Sequence, residues 1–417
     1  MANRDTVRFA ANKHTALAIT RALRASGKAD WASKRVELVE PDSGKAGRWS
    51  AHLFDLSRFG LPSTPSWETP VHVAVPHAKH RLRVKDVEST VYSSGLPREA
   101  FVDVGEGLSI AGPELLFVEM AVELSPIEHL LLGMELLGTF ALDAVDPQDN
   151  EACCGISPAT TLAKLACFME NAHGVKGLAR ARKTLNKLVE NAWSPAEALI
   201  AALMVLPAED DGYAMGPIAL SGCVSADGTP GQASWRIPDI VFIGSSVGLS
   251  YDGGERLGTQ ETRKVADAAA TNPETLEPAR RLDRVIEDAR AHVAARKQRN
   301  RRLAADDMVV LSVTEEDLYE QGGLDFIALQ VMRLLEAQVG RDFSLQRRLL
   351  AVPYARAHRQ QRIWSLVPGP RREKALKWLA RQDEPIPLPP ASSDAIITFD
   401  RDGNVAEARE MTPETIP

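Results

Sequence analysis

Residues 235–252 read Trp-Arg-Ile-Pro-Asp-Ile-Val-Phe-Ile-Gly-Ser-Ser-Val-Gly-Leu-Ser-Tyr-Asp, and Gly253-Gly254-Glu255 follows. Two short apolar runs, 240–243 and 247–251, flank Gly244-Ser245-Ser246. A small polar turn between β-rich runs predicts a hairpin. A carboxylate stands at the outer end of each strand, Asp239 and Asp252. A hairpin folds those ends towards each other, and two converging carboxylates suit Mg²⁺, which prefers hard oxygen ligands. Asp is also common beside turns for purely local reasons, and spacing alone favours that reading. Residues 250 and 252 share a strand face by the period of two. Asp239 joins them if the turn is the two residues Ser245-Ser246, which sets 239 opposite 252; a three-residue turn puts it on the other face.

With 417 residues the chain has room for two or three cores, and 44% hydrophobic with 25% charged residues is an ordinary globular composition. No apolar window reaches the length of a membrane span. The start, Met1-Ala2-Asn3-Arg4, lacks the apolar core of a signal peptide. Cys153, Cys154, Cys167 and Cys223 have no spacing suited to zinc or a disulfide framework, so a cytoplasmic location is expected. The formal net charge is −7, yet residues 279–302 hold nine Lys/Arg against three acids, and 341–381 hold eleven against two. Clustered cations are the footprint of phosphate binding, although a basic run on a helix is commonly a solvated face.

In chain order, helical spacing of Ala16, Ile19, Ala22 and Leu23 predicts a helix over 9–26. β-rich runs follow at 35–39, 71–75, 89–93 and 101–110. Helices are predicted at 114–123 and 127–142, from Ser157-Pro158, over 175–190, and from Ser194-Pro195-Ala196-Glu197 through Leu203. Past the hairpin come a basic helix (280–303), a strand (308–313) and a helix (324–339) with an apolar stripe. Residues 345–381 read as two basic helices broken at Val367-Pro368-Gly369-Pro370. A Pro-rich linker (385–390) then leads to a closing hairpin around Asp400-Arg401-Asp402-Gly403. The expected class is α+β, with segments 1–190, 191–340 and 341–417.

The order of motifs in 194–339 resembles the nuclease-like domain of actinobacterial proteins related to the very-short-patch-repair endonucleases, in the PD-(D/E)XK superfamily. Ser194-Pro195-Ala196-Glu197 matches their Ser-Pro-x-Glu helix start. Asp239, followed eleven residues later by Ser250-Tyr251-Asp252-Gly253, matches an Asp, a hairpin and a Glu-Tyr-Asp-Gly-like run. Arg299 to Leu303 and Val313-Thr314-Glu315-Glu316-Asp317 match the end of a basic helix and the strand after it. Residues 100–190 resemble the region preceding that domain, which is likened to AbiEi-type antitoxins. The resemblance spans about residues 70–340. It implies a mixed sheet flanked by helices, Glu197, Asp239 and Asp252 as metal ligands, Lys297, Arg299, Arg301 and Arg302 as nucleic-acid contacts, DNA as partner, and a defence or toxin–antitoxin setting.

Two departures matter. Ser250 stands where the pattern has Glu, and a neutral hydroxyl is a weak Mg²⁺ ligand. The acid that commonly begins the basic-helix motif is replaced by Arg296 or Lys297. No Lys stands two residues after 250, where Asp252 occurs as in the relatives. The expectation is a nuclease-like nucleic-acid-binding protein with weakened or lost cleavage; the alternative is an active Mg²⁺-dependent DNA endonuclease. Other motifs carry less. Gly244-Ser245-Ser246-Val247-Gly248 fits a nucleophile elbow, but a strand follows where that motif needs a helix. His77-Ala78-Lys79-His80 is expected to be an exposed basic patch, Gly253-Gly254 with Gly258 lacks a phosphate-loop setting, and Cys153-Cys154 is taken as inert.

Overall fold

A computed structural model describes residues 7–28, 30–148, 151–220, 238–252, 308–383, 395–399 and 405–410. These residues form a mixed α/β structure that divides into two units. One comprises Met1–Ala202 with Ile218–Ser234, the other Leu203–Pro217 with Trp235–Pro417. Among the described residues no helix is long and apolar enough to cross a membrane.

The first unit holds a six-stranded mixed sheet. Its strands are β1 (Phe9–Ala11), β2 (Arg35–Val36), β3 (Val71–Val75), β4 (Val87–Val91), β5 (Phe101–Gly105) and β6 (Leu108–Ala111), in the order β2-β5-β6-β1-β3-β4. The run expected over 101–110 is two strands, because Glu106 and Gly107 both take positive φ and turn the chain back. Helix α1 (Lys13–Ala25) starts later than its periodicity suggested, since Phe9–Ala11 is held as a strand between β3 and β6. Helix α2 (Pro113–Met120) is buried on every face, and α3 (Pro126–Leu137) opens on a Ser125/Glu128 capping box. It ends at Gly138, short of the expected 142, where Phe140–Ala141 becomes β7 and pairs with β8 (Cys153–Cys154). The helix expected from Ser157 begins only after Thr161, because the Ala159 and Thr160 N–H groups donate to Leu136 O. That helix is α4 (Leu162–Asn171), and α5 (Leu178–Leu185) and α6 (Pro195–Val205) follow. The unit boundary falls inside α6, after which comes a short strand, β9 (Ile218–Leu220).

Buried carboxylates tie this unit together. Glu135 accepts from Arg21 at 2.8 and 2.7 Å, and Glu114 accepts from Arg35 at 2.8 and 3.2 Å and from Thr160 at 2.5 Å. Burial alone would raise the Glu114 carboxyl, but Arg35 and Thr160 outweigh it and hold it low.

In the second unit, β10 (Ile240–Phe242) pairs antiparallel with β11 (Val247–Asp252), which pairs parallel with β12 (Val309–Thr314). The strand and helix expected at 308–313 and 324–339 are β12 and α8 (Gly323–Val339), with the short α7 (Glu315–Tyr319) between them. The basic extension forms α9 (Ser344–Ala351), α10 (Pro353–Leu366) and α11 (Arg372–Asp383). The break at 367–371 is as expected. A second break comes at Val352, which is extended because Pro353 follows and opens α10 at its first position. β13 (Ala395–Phe399) and β14 (Val405–Glu410) pair antiparallel as the expected closing hairpin. The basic helix expected over 280–303 lies outside the described residues.

Arginines on α10 anchor the extension. Arg359, 3% exposed, donates to Asp325 Oδ1 at 3.0 Å and to Asp211 O at 2.9 Å; Tyr213 donates to Asp325 Oδ1 at 2.8 Å. Asp211 has φ +64 and accepts from His358 at 2.6 Å and from Arg362 at 3.2 Å. Burial would raise its carboxyl, but His358 and Arg362 hold it below the ordinary 3.8. A depressed carboxyl contributes stability above its unfolded pKa and loses it as pH falls through the folded value. Asp211→Asn keeps the shape and tolerates the left-handed backbone. It is expected to lower the urea midpoint at neutral pH, with the deficit closing as pH drops below 3.8. An equal deficit at all pH values would show that the charge is immaterial.

Candidate functional site

The 240–252 hairpin is built by its turn. The Ile243 N–H donates to Pro217 O at 3.0 Å instead of across the hairpin, so β10 stops at Phe242. Gly244 takes φ +84, and the Ser245 hydroxyl donates to Phe242 O at 2.9 Å while accepting from Val247 N at 3.2 Å. Ser246 N donates to Gln338 Oε1 on α8 at 2.9 Å, and Val309 N donates to Ser246 O at 2.8 Å. The turn is therefore the four residues 243–246. The Gly-x-Ser-x-Gly motif is this turn and the start of a strand, with no helix after it.

Register decides what the site residues can do together. Ile240 pairs with Leu249 and Val241 with Gly248, so Asp239 lies across from Ser250 rather than Asp252. The turn is two residues longer than the expected pair, and a shift of two preserves the face. Asp239, Ser250 and Asp252 thus share one side of the sheet. β12 continues the rows, with Ser312 beside Ser250 and Thr314 beside Asp252. Ser312 and Thr314 are not among the expected site residues; the period of two along the expected strand at 308–313 reaches Ser312, and Thr314 joins because β12 runs one residue further.

Asp239 has a structural duty: its Oδ2 accepts from Tyr251 N at 2.8 Å, where the ladder to β10 has run out. Ser250 is 1% exposed, while Asp239 and Asp252 are half-buried. Gly248 lets the chain before β10 approach. A Cβ there would meet Pro238 Cγ at 2.5 Å and Ile240 O at 2.9 Å. Thr314 caps α7, its N–H and hydroxyl donating to Asp317 Oδ2 at 2.8 and 3.0 Å.

Glu197 is in the first unit, on the first turn of α6, 3% exposed; Trp193 N donates to its Oε2 at 3.4 Å and its own N–H donates to Ser194 Oγ at 3.2 Å. Lys297, Arg299, Arg301 and Arg302 lie outside the described residues, as do Cys223 and the 253–258 glycines. Among the described residues no group of three or more His, Cys, Asp or Glu is placed to hold a metal ion. What the hairpin and β12 offer is a face with two carboxylates, Asp239 and Asp252, and three hydroxyls, Ser250, Ser312 and Thr314, with successive positions on one strand about 7 Å apart. In the 77–80 stretch His77, Ala78 and Lys79 are exposed as expected, whereas His80 is mostly covered; its Nε2 is 3.5 Å from Glu40 Oε2 and its ring 5.6 Å from that of His77.

Compared with protein-family models, with curated proteins and with solved structures, the chain matches none.

The close approach at Gly248 has a direct test. Gly248→Ala is expected to destabilise the protein by about 1–3 kcal/mol, as overpacking does, measured by urea unfolding. Pro238→Ala in the same chain should recover part of the loss by removing Cγ. An unaltered midpoint for Gly248→Ala would mean that the strand ends part without cost.

Proposed function

We propose that the chain is a nuclease-like nucleic-acid-binding protein in which metal-dependent phosphodiester cleavage is weakened or lost, acting in a defence or toxin–antitoxin setting. The observation that carries this reading is the row Asp239–Ser250 with Asp252 on the same face. Two acids share the face on which the PD-(D/E)XK resemblance expects metal ligands, and a hydroxyl stands between them where that resemblance expects Glu. The mixed sheet, with its antiparallel hairpin and parallel third strand, agrees with the expected architecture.

Mg²⁺ bound there would polarise a phosphate oxygen and lower the pKa of an attacking water. Asp239 and Asp252 are the hairpin residues suited to hold it, with Glu197 the third acid of the resemblance. Asp239 also holds the Tyr251 N–H, which fixes its carboxylate. Ser250 contributes no charge, so the site falls one carboxylate short of a hard-oxygen set. The runner-up, an active Mg²⁺-dependent endonuclease, draws on the same two acids and needs Ser250 to be dispensable.

Plasmid cleavage separates the two. The natural protein is expected to give little or no Mg²⁺- or Mn²⁺-dependent cleavage. Robust cleavage that Asp239→Ala abolishes, with the variant's melting curve showing it folded, would establish the runner-up. Ser250→Glu places a carboxylate at a buried position, so it should lower the melting temperature in metal-free buffer. Millimolar Mn²⁺ should restore part of the loss, because a ligand bound only by the folded state stabilises it. No metal-dependent recovery would count against a metal pocket on this face.

Nucleic-acid binding is tested separately. Replacing Arg299, Arg301 and Arg302 with Ala should flatten the plot of log affinity against log salt by about 2.7, from about 0.9 for each phosphate of a DNA duplex that is no longer neutralised. An unchanged slope would reduce that run to a solvated face.

A further inference from the structure

The cations of the carboxy-terminal extension have two distinct fates. Arg341 donates to Met215 O at 2.7 Å, Arg347 pairs with Glu336, Arg359 with Asp325, and Arg362 with Asp211. Arg371 donates to Tyr319 O at 2.7 Å and lies over the Trp364 ring. These five hold the helices in place. On α11 the pattern reverses. Ala375 and Leu379 are buried, and Trp378 packs its ring against Tyr354 and His358, with centroids at 6.4 and 5.7 Å. Lys374, Lys377 and Arg381 are all exposed. Their spacing of three and four residues sets them in one stripe about 10 Å long.

Among the described residues Lys374 and Arg381 have no ion pair. Lys377 pairs only with Glu373 one turn away, at 2.6 Å, with both side chains at least 70% exposed. Such a pair gives way readily to a stronger anion. An ordinary solvated face balances both signs, whereas α11 carries four cations, Arg372, Lys374, Lys377 and Arg381, against the two acids Glu373 and Asp383, in a chain of net charge −7. An acidic protein that sets exposed cations in one stripe on a helix packed through Ala375, Trp378 and Leu379 presents a surface suited to a polyanion.

We propose that the outward face of α11, formed by Lys374, Lys377 and Arg381, binds the phosphodiester backbone of duplex DNA. These three cations are other residues of the chain than Arg299, Arg301 and Arg302. The proposal rests on the nucleic-acid-binding reading above for the identity of the polyanion, and on the structure for its location. Repeating phosphates match a linear stripe of cations, and contacts of this kind position a protein on DNA without reading its sequence. An anionic membrane is the poorer match, because the stripe lacks the aromatic and aliphatic side chains that an interfacial helix buries among lipids; of the large apolar side chains on α11, Leu379 is buried and Trp378 is half-covered, leaving Leu376 exposed.

The test measures binding of the full chain to a fluorescein-labelled DNA duplex across a salt series. The triple variant Lys374→Ala, Lys377→Ala, Arg381→Ala should weaken binding at low salt and reduce the salt slope by about 2.7. Its melting temperature should stay that of the natural protein, since the three side chains are exposed. Lys374→Arg with Lys377→Arg should keep the slope, and Glu373→Gln, which frees Lys377, should tighten binding. If the natural protein and the triple variant bind with equal affinity and slope, the α11 surface is refuted. The broader reading then stands if replacing the arginines at 299–302 lowers the slope. Absence of any duplex binding by the natural protein overturns both. Binding to phosphatidylserine vesicles that the triple variant loses, without binding to DNA, overturns the proposal in favour of a membrane.

Discussion

A carboxylate taken out of water is tolerated only where cations or hydrogen-bond donors replace its hydration, and this constraint organises both units. In the first, Glu135 and Glu114 are met by Arg21 and Arg35 from segments far away in sequence. In the second, Asp325 and Asp211 are met by Arg359, Arg362 and His358. Arginine suits the task because its planar fork satisfies several acceptors at once and stays charged when buried. Each pair joins a helix to a distant segment, so the packing is specified by charge as well as by apolar contact.

Glu119 meets the same constraint without a cation. It accepts from the Tyr92 hydroxyl, from Asn12 Nδ2 at 3.1 Å and from Lys13 N at 3.1 Å, while the Lys13 ammonium reaches Glu123 instead. Burial raises its carboxyl, and those donors only partly offset the effect. Lys13 takes φ +47 at this point, and its N–H meets the carboxylate there. This network fixes the start of α1 against α2.

The hairpin shows the same dependence of local form on distant partners. Its turn length follows from Ile243 N–H donating to Pro217 O and Ser246 N–H donating to Gln338, neither of which the local sequence reveals. That length sets Asp239 across from Ser250. The shared face of Asp239, Ser250 and Asp252 survives because the turn grew by two residues rather than one.

The sequence by itself determined the features governed by neighbours in the chain. The hairpin, the apolar stripe of the helix ending at Val339 and the proline break after Leu366 follow from turn chemistry, periodicity and the loss of an N–H at proline. The candidate acids Asp239 and Asp252 were legible for the same reason, because they flank strands. Only the tertiary structure decided the register, the burial of Ser250, the shift of a helix start to Leu162, and which basic residues are bound to acids or carbonyl oxygens and which face water. Arg359 and Lys374 look alike in a charge count, yet one is 3% exposed against Asp325 and the other is exposed on α11. A residue's charge is written in the sequence; what compensates that charge depends on groups brought near by folding.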